Sequence, residues 1–177
     1  IFTGGTIGSS HSNGYITPDP AAKYRLIKNY HKTFGTSVEF TVCNPYTILS
    51  ENLSGKTLSL LMKSIKKGLE DNCDGIIVAH GTDTLQYSAI AAAYCFGSNT
   101  KPIMFVSANY PLENPNSNGN LNFEAVSALC AEKDYKNRIN LVATAKEPTI
   151  RLRLAAGVDS LKQSKVFIDR YQKLMNH

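Results

Sequence analysis

The chain has 177 residues, 42% of them hydrophobic and 19% charged, a balance typical of one folded domain with a substantial core. It contains no run of about 18 apolar residues and no secretory signal peptide, so the sequence predicts no membrane span and no membrane partner. The net charge is +5, and the positive surplus lies late, at Lys162, Lys165, Arg170 and Lys173. No nucleic-acid-binding pattern accompanies these residues, so we interpret them as a solvated helix face and predict no nucleic-acid partner.

Apolar strand-like runs alternate with helical patterns along the chain. Strands are predicted upstream of Thr3 and over 38–43, 76–79, 103–106 and 139–144, and helices are predicted over 58–69, 84–96 and 123–130. After Pro148, residues 151–154 alternate like a strand, and residues 160–175 have a helical pattern. Alternating strands and helices predict an α/β fold, a three-layer, mostly parallel sheet with helices on both faces.

A glycine-rich stretch, Thr3-Gly4-Gly5-Thr6-Ile7-Gly8, follows the first predicted strand. Its glycines allow sharp turns and close approach to a substrate, and its amides could hold the oxyanion formed when Thr6 attacks a carbonyl. Tyr15 follows a segment rich in glycine, serine and asparagine, and its phenol could act as the base that activates Thr6. Other interpretations stay open, since the stretch could be a phosphate cradle or a tight turn and Tyr15 a surface residue. It matches neither the dinucleotide fingerprint nor the P-loop.

A second stretch, His80-Gly81-Thr82-Asp83-Thr84, ends a buried strand and opens a predicted helix. Ligands of open α/β sheets bind at this kind of position. Asp83 could bind the α-ammonium group of an amino acid, and Thr82 could act as a second nucleophile or orient a water molecule. Alternatively, Asp83 is a helix cap and His80 a packed residue rather than a catalyst. Ser50 and Glu51 follow the strand predicted over 38–43, so they could reach the same edge or could be ordinary loop residues.

The four cysteines form no Cys-x-x-Cys pair, and the four histidines lack metal-ligand spacing. The sequence therefore predicts free thiols in a reducing compartment, with Cys43 and Cys95 buried in apolar runs, and no metal site.

Together, the two motifs resemble the signatures of the bacterial-type L-asparaginase/glutaminase amidohydrolases. Gly14-Tyr15-Ile16 resembles the flexible-loop tyrosine of that family's cytosolic type I branch. Ser107-Ala108-Asn109-Tyr110-Pro111, with Asn118 to Asn122, is similar to the family segment G-[SA]-[MQ]-x-P followed by D-G-x-x-N. The resemblance runs from residue 1 through the strand predicted over 139–144 and implies the fold of the asparaginase N-terminal domain.

The resemblance also implies a reaction, hydrolysis of L-asparagine or L-glutamine to a carboxylate and ammonia through an acyl-enzyme without a cofactor. Thr6 would be the first nucleophile with Tyr15 as its partner, and Thr82 and Asp83 would form a second activating group with a lysine. The implied substrate-binding residues are Gly5, Ser50, Glu51, Thr82, Asp83 and Ala108. The resemblance further implies a cytoplasmic homodimer or homotetramer.

The sequence departs from the family pattern in three places. The family's lysine follows the strand that matches residues 139–144, whereas residues 149–156 here contain arginines and no lysine, and arginine cannot be deprotonated. Ser107 and Asn118 replace the usual glycine and aspartate. The chain also has little room for the family's C-terminal domain, so we expect a catalytic domain over residues 1–150 and a C-terminal extension over 151–177.

Three functional hypotheses follow. The main one is an L-asparaginase-type amidohydrolase with a threonine nucleophile. The second is an asparaginase-like domain that binds a small amino acid, or a partner, without turnover, as the missing lysine would favour. The third is the amidase subunit of a tRNA-dependent amidotransferase, which shares these motifs and requires a partner chain.

Overall fold

The structure is a computed structural model, and it describes residues 1–12, 14–96, 101–131, 141–146 and 149–154. Two single-turn 3₁₀ helices lie at Thr6–Gly8 and Ser50–Asn52. The α-helices are α1 (Ala22–Phe34), α2 (Gly55–Glu70), α3 (Leu85–Phe96) and α4 (Gly119–Ala131). The strands are β1 (Ser9–Ser12), β2 (Tyr15–Pro18), β3 (Ile76–Ala79), β4 (Ile103–Val106), β5 (Leu141–Lys146) and β6 (Thr149–Leu154).

The central sheet has the order β3-β4-β5-β6. The pairs β3–β4 and β4–β5 are parallel, and β6 returns antiparallel to β5 at the edge. On the other side of β3 the chain start adds parallel bridges, Phe2 to Ala79 and Gly4 to Ile48. The predicted α/β class is therefore confirmed, as are the strands expected at 76–79 and 103–106 and the strand character of 151–154.

Helices cover both faces of the sheet, because successive side chains of a strand point to opposite faces. On one face Val78 and Phe105 pack with Leu61 and Ile65 of α2 and with Leu85 of α3. On the other face a second cluster contains Met104 and Val106, together with Leu26, Tyr30, Phe123 and Val126 from α1 and α4. Both clusters are buried, and together they hold the carboxyl ends of β3 and β4 in fixed positions.

One predicted strand is wrong. Residues 38–43 form no regular strand, although the Cys43 carbonyl accepts a hydrogen bond from the Phe2 amide at 2.8 Å. The alternating pattern that predicts it arises because Val38, Phe40 and Val42 each pack against the core. The Phe40 ring packs edge-on against the Tyr30 ring, with the ring centroids 5.2 Å apart. Side-chain packing therefore produces the alternation of apolar residues without the backbone pairing of a β-strand.

Several local features also differ from the sequence predictions. The sequence interpretation missed the hairpin β1–β2 and also α1, whose stripe of Ala22, Leu26 and Tyr30 has helical spacing. Helix α4 begins at Gly119, before the expected Phe123. The cysteines are free, as predicted, but Cys43 and Cys95 are exposed rather than buried.

None of the described helices is long and apolar enough to cross a membrane. The division into a catalytic domain over 1–150 and an extension over 151–177 stays a prediction. The helical pattern over 160–175 lies outside the described residues.

Candidate active site

The two motifs meet backbone to backbone at the carboxyl end of β3. Gly5 has a φ of 68°, and a β-carbon added to it would collide with the backbone of Gly81. Only glycine fits this close approach without strain. Thr6 and Thr82 each follow one of the two contacting glycines. The structure therefore brings both candidate nucleophiles to the same edge of the sheet.

Ser50 is the third member of this contact. A β-carbon on Gly81 would collide with the Ser50 side chain, which is buried. The Ser50 hydroxyl donates a hydrogen bond to Asp83 Oδ2 at 2.9 Å and accepts one from the Asp83 amide at 3.2 Å. Thr84 Oγ1 donates to the Ser50 carbonyl at 2.9 Å. Ser50 thus fixes the orientation of the Asp83 carboxylate. We call Gly5, Ser50 and Gly81 the glycine–serine contact.

The side chains around this contact are open to solvent. Thr82, Asp83 and Glu51 are exposed, and Thr6 is half-buried. Glu51 lies on the 3₁₀ turn Ser50–Asn52, next to the serine that contacts Gly81. An exposed carboxylate held in one orientation can bind a primary ammonium group, and neighbouring threonine hydroxyls can supply a nucleophile.

His80 is buried beside Gly81 and stabilises the glycine–serine contact through hydrogen bonds. It is 2% exposed, its Nδ1 lies 2.9 Å from the Gly81 carbonyl, and its Nε2 lies 2.9 Å from the Ser88 hydroxyl. A carbonyl only accepts, so Nδ1 carries the proton and the Ser88 hydroxyl donates to Nε2. Burial lowers the pKa of His80, which favours this neutral ring. The structure agrees with the packed interpretation of His80. The sequence interpretation did not include Ser88, although it lies on α3 eight residues after His80.

Tyr15 lies apart from this arrangement. It is in β2, where it pairs with Ser12 of β1, and its side chain is 75% exposed. Among the residues that the structure describes, the Tyr15 hydroxyl has no hydrogen-bond partner, so no such bond joins it to Thr6. The hairpin that carries it is closed at its base by a bond from the Asp19 amide to the Gly8 carbonyl, at 2.7 Å.

Ala108 is buried two residues after β4, at the same edge. The loop that follows is held by two reciprocal hydrogen bonds, from the Asn109 amide to Asn118 Oδ1 at 2.9 Å and from the Asn118 amide to Asn109 Oδ1 at 3.1 Å. Asn118 thus makes a structural contact through an oxygen that an aspartate would also offer. The Ser107 carbonyl accepts from Asn122 Nδ2 at 2.9 Å.

One further candidate residue, a lysine, lies outside the segment 149–156 that was compared with the family pattern. Lys146 is the last residue of β5, opposite Thr149 of β6. Because β5 is parallel to β4, its carboxyl end lies at the same edge as Ala108. The sequence carries a signal for it, since Lys146 stands two residues after the run 139–144 that predicts this strand. Among the described residues, no group of three or more histidine, cysteine or acidic side chains could hold a metal ion.

Comparison with known proteins places this geometry in a family. The family described as Asparaginase, N-terminal, matches residues 1–172. The chain belongs to the asparaginase family. A probable cytoplasmic L-asparaginase from Campylobacter jejuni has a similar structure, with a TM-score of 0.69 and 26% identity, covering 80% of this chain and 43% of that one. L-asparaginase I from Vibrio cholerae shares the fold, with a TM-score of 0.70 and 21% identity over 91% of this chain and 55% of that one.

Curated relatives of this chain include subunits of an amidotransferase. A subunit of the glutamyl-tRNA(Gln) amidotransferase of Sulfurisphaera tokodaii is 33% identical over 134 residues, which are 76% of this chain and 30% of the relative. The corresponding amidotransferase subunit of Methanobrevibacter smithii is 35% identical over 136 residues, again 76% of this chain and 30% of the relative. The chain spans less than half the length of the curated relatives it matches.

Proposed function

We propose that this chain is the catalytic part of an amidase that releases ammonia from a side-chain amide, with Thr6 as the nucleophile. The observation that carries the proposal is the contact of Gly5 with Gly81, because it joins the two threonine motifs beside a carboxylate that Ser50 orients. The membership of the chain in an amide-hydrolysing family supports the same reaction class.

The reaction proceeds in two steps. Thr6 Oγ1 attacks the carbonyl carbon of the amide, its proton passes to a base, and backbone amides of the glycine-rich turn stabilise the oxyanion. The C–N bond then breaks, the nitrogen takes up a proton, and ammonia leaves a threonyl ester. Water, oriented by Thr82, attacks this ester, and the carboxylate product departs as Thr6 regains its proton.

The other site residues bind the substrate and move protons. Asp83 binds the α-ammonium group, and the Ser50 hydroxyl keeps the Asp83 carboxylate in place. Glu51, Gly5 and Ala108 line the same edge as further substrate-binding candidates. Tyr15 is the base for Thr6, and Lys146 is our candidate for the amine that the family places beside its second threonine.

Within this reaction class, we propose that the chain acts as the amidase of a tRNA-dependent amidotransferase. The amidotransferase relatives support this, because two of them are 33% and 35% identical to this chain over 76% of its length. The activity would then depend on a partner chain that uses the ammonia. This replaces free L-asparaginase as the main hypothesis.

A free, cytoplasmic L-asparaginase that forms homodimers or homotetramers is the second candidate. The Campylobacter jejuni neighbour favours it, since that protein is described as a probable cytoplasmic L-asparaginase and its identity to this chain is 26%. The two candidates differ in substrate and in partner dependence, so one assay distinguishes them.

The test is ammonia release by the purified protein from L-asparagine and from L-glutamine. We expect release that Thr6→Ala abolishes and that the matched control Thr33→Ala, an exposed helical threonine, leaves unchanged. Preference for asparagine without a partner would favour the asparaginase. Preference for glutamine that rises when a partner chain and glutamyl-tRNA are added would favour the amidotransferase.

Two results would contradict amide hydrolysis at this site. One is release that survives Thr6→Ala. The other is no release under any condition while amino acids still raise the melting temperature, which would leave the binding-only domain.

A further inference from the structure

The loop that follows β4 holds its own shape. Residues 109–118, which we call the asparagine loop, are closed by the reciprocal Asn109–Asn118 bonds. The Ser117 hydroxyl also donates to the Tyr110 carbonyl at 2.8 Å. These bonds lie within the loop, so the loop keeps its shape whether or not another element touches it. Glu113 lies in the middle of this loop and is part of none of these bonds.

The hairpin that carries Tyr15, formed by β1 and β2, is anchored mainly at its base. The Ser9 hydroxyl donates to the Gly5 carbonyl at 2.6 Å, and the Asp19 amide donates to the Gly8 carbonyl at 2.7 Å. Beyond Ser9, the described part of the chain shows one hydrogen bond from this hairpin to another element. It runs from the His11 amide to Glu113 Oε2 at 3.3 Å.

Arg25 of α1 ties the same carboxylate to the hairpin base. Its Nη2 lies 2.6 Å from Asp19 Oδ2 and 3.4 Å from Glu113 Oε1. Glu113 therefore uses one oxygen toward the guanidinium and the other toward the His11 amide. The side chains of Arg25 and Glu113 are 35% and 47% exposed, and an ion pair so open to water is weak. Two weak contacts made by one carboxylate can hold the hairpin in place and still break reversibly.

We propose that Glu113 is a positioning residue that holds the Tyr15 hairpin against the asparagine loop. We call its contacts with the His11 amide and with Arg25 the latch. The latch joins the hairpin to the loop whose first residue follows Ala108, and so couples the predicted base to the predicted substrate-binding edge. Its effect on turnover rests on the proposed function, whereas its effect on the hairpin does not.

Hydrogen–deuterium exchange tests the latch without any assumption about catalysis. In Glu113→Ala we expect the amides of β1 and β2 to exchange about fivefold faster, while those of residues 109–118 stay unchanged. Glu113→Gln keeps an oxygen for the His11 amide but loses the charge facing Arg25. Its hairpin exchange rate should therefore lie between those of the wild type and Glu113→Ala. The matched control is Glu70→Ala, which removes an exposed ion pair with Lys66 on α2. Equal hairpin exchange in Glu113→Ala and Glu70→Ala would overturn the latch.

Kinetics then test whether the latch acts through Tyr15. We expect Glu113→Ala to lower kcat/KM for ammonia release about fivefold and to leave the melting temperature unchanged. In a Tyr15→Phe background the same substitution should cost nothing further, because the group it positions is already gone. A full additional loss in that background would refute action through Tyr15. A wild type without turnover would refute the proposed function, and the exchange result would still decide the latch.

Discussion

Gly5 of the glycine–serine contact lies four residues before the Tyr15 hairpin in the chain, yet the two regions are stabilised in opposite ways. In the contact, backbone meets backbone so closely that a single added carbon would collide. In the hairpin, the side chain proposed as a base is 75% exposed, and hydrogen bonds at the surface hold the segment.

This difference separates binding from proton transfer. Groups that orient a substrate must be rigid before it arrives, and the contact supplies that rigidity through packing. A base that must also let substrate enter can lie on a segment of low local stability. Substitutions in the contact should therefore lower the free energy of unfolding, whereas substitutions in the hairpin should lower the rate alone.

Gly5→Ala should have the largest effect on stability. The new β-carbon would meet the Gly81 backbone at a φ of 68°, so both sterics and backbone strain oppose it. We expect the free energy of unfolding to fall by about 3 kcal/mol or more, and turnover to be lost. Chemical denaturation measures this change. Gly55→Ala is the control, because a β-carbon there meets nothing within 4 Å. A Gly5→Ala protein as stable as Gly55→Ala would show that the close contact does not exist in solution.

The elements that form the glycine–serine contact could be predicted from the sequence, but the close approach of their backbones could not. Local patterns indicated β3, β4, α2 and α3, because buried strands and amphipathic helices leave periodic signals. The placement of Thr6 and Asp83 at one sheet edge also followed, since parallel strands share a carboxyl edge. The Ser50–Asp83 bond did not, because it joins residues 33 positions apart through a loop that has no pattern of its own.

The hairpin was harder to predict for a different reason. Residues 9–18 are mostly polar, so no hydrophobic period marks the strands. Residues 38–42 led to the opposite error, a strand predicted where none forms. Their alternating apolar residues pack on the core, and their backbone does not pair with a neighbouring strand. Glu113 carried no sequence signal at all, because its role depends on an approach between residues 102 apart in the chain.

His80→Gln should have an intermediate effect that depends on pH. Burial lowers the pKa of His80 below its ordinary 6.5, so the unfolded chain binds a proton more readily than the folded one as the pH falls through that range. The stabilisation is complete above about pH 6.5 and is lost progressively as the pH drops toward the folded-state pKa.

We therefore expect His80→Gln to cost about 1–3 kcal/mol at pH 7, through lost hydrogen bonding to Gly81 and Ser88, and to flatten the fall in stability as the pH drops below about 6.5. Unfolding curves at several pH values measure both. The exposed His11 offers the control His11→Gln, which should change neither. An unaltered pH slope in His80→Gln would mean that another group causes the acid destabilisation.

Tyr15→Phe should have the smallest effect on stability and is therefore the sharpest test of the comparison. The hydroxyl has no partner among the described residues and the ring is mostly in solvent, so the free energy of unfolding should change by less than about 0.5 kcal/mol. If the phenol is the base for Thr6, kcat should nevertheless fall by about 10²-fold or more. Tyr24→Phe, at a tyrosine that is 63% exposed on α1, is the matched control and should change neither quantity. A Tyr15→Phe enzyme with normal kcat would assign the base to the rigid region instead, and the division between a fixed binding edge and a mobile base would fail.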